Sequence, residues 1–227
     1  MRYRFTSLIL LLTFLLLGLG SLHATHQRAA EITYKHVSGL TYDFTITMYT
    51  LTSSPADDAS PKMPIFWGDD TSDELKRIYF QPIPDVYDMT LNIYTGSHTF
   101  PGPGDYKITV EDPNRNSGII NIPNSVDVPM FIESELIINP FIGNNNSVQL
   151  LNPPIDMGCV GIMFIHNPAA YDPDGDSLSY KLVNCKGAGG YDIPGYTFPM
   201  ASESFAIDGI SGDIVWKNPV IQGEYNI

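Results

Sequence analysis

Residues 172–176 read Asp-Pro-Asp-Gly-Asp and set three carboxylates, Asp172, Asp174 and Asp176, at alternate positions. Carboxylates this close together either share a hard cation or turn their oxygens back onto main-chain amides. Calcium takes six or more oxygen ligands; three carboxylates with one or two carbonyls and water supply them, and Asp208, Asp213 or Asn184 is a further donor from another loop. The spacing is not that of an EF-hand, because Gly175 comes early and Val183 occupies the position of the closing glutamate. The alternative is an Asp-Pro-Asp-Gly turn whose side chains cap backbone N–H groups. Sequence leaves both readings open, and the candidate metal set is Asp172, Asp174, Asp176 and Asp208 with calcium as the ion.

Other reactive side chains carry weaker signals. Asp69, Asp70 and Asp73 lie within one turn and read as a solvated acidic loop. The two cysteines, Cys159 and Cys185, are expected to form a disulfide, which for a loop of roughly 25 residues stabilises by about 3 kcal/mol; a pair of buried free thiols is the alternative. Without a histidine cluster they make no zinc site. His23, His26, His36, His98 and His166 form no His-Glu-x-x-His pattern, no Gly-x-Ser-x-Gly elbow occurs, and no glycine loop ends in a phosphate-binding lysine. Neither cysteine has a basic motif beside it to lower its pKa. The chain is therefore read as a non-enzyme.

These residues are carried by an exported, acidic chain. Arg2 and Arg4 precede an apolar run over 8–17 that decays through small residues to Ala24, the pattern of a secretory signal peptide spanning 1–24. Thr25 is the expected mature start, the destination is extracellular or the outer cell surface, and no membrane span is expected in the mature chain. Lys and Arg total 12 against 25 Asp and Glu, a net charge of −13, and the leader takes two of the basic residues with it. Such a chain repels nucleic acid and anionic membranes, and cations are its natural partners. A hydrophobic content of 43% with 13 Tyr and 11 Phe is ample for folded cores.

The hydrophobic period is two almost throughout. Tyr42, Phe44, Ile46 and Met48 alternate with Asp43, Thr45 and Thr47, the mark of a half-buried strand. Further strands are expected at 31–37, 65–67, 78–80, 89–94, 106–110, 118–122 and 128–138. After a Pro-, Asn- and Gly-rich linker at 139–146, more follow at 161–166, 177–183, 204–207, 213–217 and 224–227. With 18 prolines and 19 glycines as punctuation, this is an all-β protein of two tandem immunoglobulin-like sandwiches, residues 25–138 and 147–227. Gly104-Asp105-Tyr106-Lys107-Ile108 is echoed by Gly223-Glu224-Tyr225-Asn226-Ile227, which makes Tyr106 and Tyr225 candidates for tyrosine corners. A strand is expected after each corner, so the second sandwich is read as incomplete.

Trp67-Gly68-Asp69-Asp70-Thr71, followed by His98-Thr99-Phe100-Pro101-Gly102-Pro103-Gly104-Asp105-Tyr106, resembles the PKD-type immunoglobulin-like module, with Asp70 where that family usually has Gly. The second half resembles a cadherin-like, dystroglycan-type domain, through the segment from Ala170 to Tyr180 and through Ile207-Asp208-Gly209-Ile210-Ser211-Gly212-Asp213-Ile214-Val215-Trp216. The whole chain is similar to the N-terminal part of large secreted surface proteins of Bacteroidetes, often gliding-motility-associated and exported by type IX secretion. The resemblance implies a non-catalytic cell-surface adhesion or scaffold spacer, stiffened by calcium, with other surface proteins or polysaccharide as partners. The alternative is a carbohydrate-binding accessory module of a secreted hydrolase.

Overall fold

The computed structural model describes residues 26–54, 60–84 and 88–227. The expected signal peptide and the mature start at Thr25 lie outside the described residues. The protein is all-β. Seven strands, β1 (Gln27–Ser38), β2 (Thr41–Thr50), β3 (Lys62–Phe66), β4 (Ser72–Pro82), β5 (Thr90–Thr99), β6 (Gly104–Asp112) and β7 (Met130–Ile138), form one antiparallel sheet in the order β1-β2-β5-β4-β3-β6-β7. The outermost strands meet where the Tyr34 hydroxyl donates to the Glu135 carbonyl at 2.9 Å.

Alternation places the core as expected. Tyr42, Phe44, Ile46 and Met48 on β2, Met63 and Ile65 on β3, and Ile108 and Val110 on β6 are each at most 1% exposed. Trp67 lies beneath them, its ring 4.8 Å from Phe44 and stacked at 4.6 Å on His98 with an interplanar angle of 7°. Each such aromatic contact adds about 0.5–1.5 kcal/mol beyond the area it buries.

The turn after Trp67 is fixed by its neighbours. Gly68 adopts φ +80°, and a Cβ there would lie 2.7 Å from the main-chain N and O of Lys107, so only glycine lets β6 pass. Asp70 takes the left-handed φ of 66°, which Asp tolerates better than most residues. Asp69 accepts from the Thr71 amide at 3.1 Å and from His98 Nε2 at 2.8 Å. Its side chain is only 5% exposed, whereas Asp70 and Asp73 are exposed, so the acidic loop is solvated as expected except at Asp69. Tyr106 forms its corner, the hydroxyl donating to Gly102 O at 2.9 Å; Tyr225 repeats the bond four residues back, to Ile221 O at 2.8 Å.

Beyond Asn139 the strands shorten. A pair joins β8 (Gln149–Leu150) to β10 (Ala170–Tyr171), and a three-stranded sheet runs in the order β11 (Ala201–Ile207), β12 (Ile214–Pro219), β9 (Phe164–His166). Its aromatic residues form a chain from Phe205 to Trp216 at 5.9 Å and from Trp216 to Tyr225 at 4.9 Å.

Three expected strands do not form: residues 224–227 make only an isolated bridge at Glu224, and the other two are at 118–122 and 177–183. Residues 118–122 are a compact turn in which Ile119 and Ile122 pack on Ile193. Residues 177–183 are irregular: the Tyr180 amide bonds Gly209 O at 3.0 Å while its ring packs against Gly212. In both places the apolar residues are used by a distant loop instead of by a neighbouring strand.

The later part lies lengthwise along the outer edge of β1. Residues 146 and 147 bond to β1 at Tyr34 and His36, and Glu224 bonds to it at Arg28. At about 3.3 Å per residue these anchor points are roughly 26 Å apart. These contacts occupy part of the edge that β1 would otherwise present.

Candidate functional site: the junction at Asp172–Asp176

The junction starts at the free side of β1. Tyr34 N donates to Ser147 Oγ at 2.8 Å, and Ser147 N returns a bond to Tyr34 O at 3.0 Å. His36 N donates to Asn146 Oδ1 at 2.8 Å. Backbone groups that a further strand would satisfy are thus met by a short run of the 139–146 segment. Of the segment read from sequence as a linker, Asn146 bonds to β1, with Ser147 just beyond it.

The acidic turn grips the same segment. Asp172 is 9% exposed, and its Oδ1 accepts from the amides of Asp174 at 2.8 Å and Asp176 at 3.1 Å. Gly175, at φ +83°, supplies the left-handed step that lets the turn close on this cap. Asp174 faces outward and accepts from Asn146 N at 2.6 Å and from Asn146 Nδ2 at 2.8 Å. Asn145 turns its amide toward Asp174 Oδ2 and Asp176 Oδ2, each at 3.2 Å. Burial first, then the charge of Tyr42 and of Asp172, Glu135 and Asp174, pushes the Tyr34 phenol up to about 12. It stays protonated and remains a donor to Glu135.

The structure brings together three of the four expected metal ligands. Asp208 is elsewhere: its Oδ1 accepts from Ser211 N at 2.8 Å and Ile210 N at 2.9 Å, capping the β11–β12 turn. Those amides hold its carboxyl below the usual range. Among the described residues no three His, Cys, Asp or Glu side chains are grouped to hold an ion by themselves. An ion at this turn would have to displace the N–H donors of Asn145 and Asn146 that already meet Asp174 and Asp176.

The expected disulfide is not formed. Cys159 is an exposed free thiol, and Cys185 is a half-buried one packed against the Ile119, Ile122 and Ile193 cluster. Burial pushes the Cys185 thiol up, outweighing the opposing pulls of Tyr196 and Arg115. It is a packing residue held in the unreactive thiol form.

Sequence reasoning missed Tyr34, Asn145, Asn146 and Ser147. Three consecutive asparagines at 144–146 were the available signal, since side-chain amides both donate and accept and so suit the capping of strand edges. Comparison with protein-family models, curated proteins and solved structures finds no match to this chain.

Proposed function

We propose that the protein is a non-catalytic, exported surface scaffold whose two β parts are held side by side in a fixed orientation. The observation that supports this reading is the junction, where the Asp174 carboxylate, Asn146, Ser147 and the edge of β1 form one continuous chain of hydrogen bonds. The strand order supports it: lettered along the chain, the single sheet runs A-B-E-D then C-F-G, the order in which an immunoglobulin-like sandwich arranges its strands, here with D paired to C. Calcium belongs to the proposal as a stiffener held by Asp172, Asp174, Asp176 and the Asn145 oxygen. Extracellular modules bind it at about 10⁻⁴–10⁻³ M, so 10 mM calcium raises stability by about 1.4–2.7 kcal/mol.

Thermal unfolding of the wild type and Asp174→Ala, with and without 10 mM calcium, tests both parts. Wild type should melt about 3–10 °C higher with calcium, and the variant should show no such rise. Equal melting temperatures in all four samples would remove calcium and the clamp together.

A second reading, carbohydrate binding, is favoured by an open groove of about 510 Å³ on the outer face of β1, β2 and β5. Its walls include Thr33, Asp43, Thr45, Thr95, Ser97 and Gln149. Hydroxyl, carboxylate and amide groups suit sugar hydroxyls. Retardation of the protein in polysaccharide gels, lost in Asp43→Ala, would support it.

A further inference from the structure

The end of β6 and its long connection to β7 carry several buried polar side chains: Asp112, Arg115, Asn116, Asn121 and Ser125 are each at most 6% exposed. Several of these groups converge on one short extended stretch, Glu224-Tyr225-Asn226. We infer that this connection, with Arg28 and Tyr196, is a peptide-binding groove, and that Glu224–Asn226 is its resident ligand.

The first and third positions of the stretch are contacted in ways that distinguish them. The Glu224 carboxylate accepts from Arg28 at 2.7 Å and from the Asn116 amide. Its carbonyl accepts from Ile120 N at 2.9 Å, in a parallel bridge of the kind an added strand makes. The Asn121 side chain reads the backbone of residue 226 from both sides, Nδ2 donating to Asn226 O at 2.6 Å and Oδ1 accepting from Asn226 N at 3.0 Å. Tyr196 adds a donor to the same carbonyl at 3.2 Å. Asn226 Oδ1 accepts from Arg115 at 2.6 Å. Tyr225 turns away to Trp216, so the groove does not read the middle residue.

The ligand class follows from these contacts: an extended peptide with a carboxylate, any residue, then Asn. A Gln in the first position loses the charge that Arg28 meets. An Ala in the third loses the only side-chain acceptor offered to Arg115 from this stretch. In the chain as folded the site is filled in cis, which makes the stretch a latch between the two β parts. The inference goes beyond the scaffold reading by assigning recognition of a peptide, and it shares with that reading the contact between the two β parts.

The test uses the full chain carrying Asn226→Ala, with Glu224→Gln as a second variant, and a fluorescent peptide of residues 221–227. Hydrogen exchange at the Ile120 amide reports release of the resident stretch, and fluorescence anisotropy reports binding of the peptide. The expected result is faster exchange at Ile120 in both variants and saturable peptide binding. That binding should weaken about tenfold when the peptide carries Ala for its Asn, and again when the chain also carries Asn121→Ala. Unchanged exchange at Ile120 in both variants overturns the inference, as does peptide binding that is absent or no better than that of a scrambled sequence.

Discussion

Arg115 offers the sharpest test of how the two parts are joined. It is 3% exposed, and its guanidinium donates to Val128 O at 3.1 Å, Pro129 O at 3.1 Å, Lys186 O at 2.9 Å and Asn226 Oδ1 at 2.6 Å. All of these partners are neutral. Desolvation lowers its pKa, with Cys185 and Tyr196 opposing, yet an arginine stays charged in any accessible range. Arg115→Met removes the donors from four acceptors drawn from three separate segments. Each acceptor left dry costs about 1–3 kcal/mol, while removal of a desolvated charge offsets part of that. The net loss should be about 3–5 kcal/mol, or a fall in Tm of about 6–20 °C. Arg115→Lys keeps the charge but not the fork, and should lose about 2–4 kcal/mol. Circular dichroism gives Tm, and hydrogen exchange should show residues 185–197 and 224–226 losing protection before the strands around Trp67. An Arg115→Met protein that melts within about 2 °C of wild type, with protection at 185–197 intact, would refute the account of Arg115 as the buried tie.

Three further outcomes follow from the large sheet. Burial pushes the Asp69 carboxyl up, but the Thr71 hydroxyl, His98 and the Thr71 amide together hold it below its usual value of 3.8. Its contribution is therefore complete above that value and is lost as pH falls through the lower folded value; denaturant midpoints measured from pH 7 downward should show an acid limb that Asp69→Asn flattens. Gly68→Ala should lose about 1–3 kcal/mol from overlap with Lys107 and about 1–2 kcal/mol from the left-handed backbone, seen as a lower urea midpoint with an unchanged slope. Tyr106→Phe removes one hydroxyl bond and should cost about 1 kcal/mol; a neutral result in chemical denaturation would mean that ring packing alone makes the corner.

What the sequence revealed follows from the range of the forces involved. Strand β2 was legible because burial on one face imposes a period of two on Tyr42, Phe44, Ile46 and Met48, whatever strand comes next. Tyr106 and Tyr225 were legible because each bonds a carbonyl four residues back, within its own turn. Asp172 was legible for the same reason, as the cap of Asp174 and Asp176. Asn146 and Arg115 were not: their partners lie 110 residues away at His36 and 111 away at Asn226, and side-chain bonds over such distances leave no periodic trace. Residues 118–122 misled for a related reason, since Ile119 and Ile122 are apolar on account of Ile193.

Arg28 and Glu224 are 196 positions apart in the chain and in contact in space. Tension applied to the polypeptide at those two points would be shunted through the ion pair and the Asn121 clamp, leaving Trp67 and its neighbours unloaded until both gave way. The weakest bonds would then break first under force and the core last, so the molecule would lengthen in two steps.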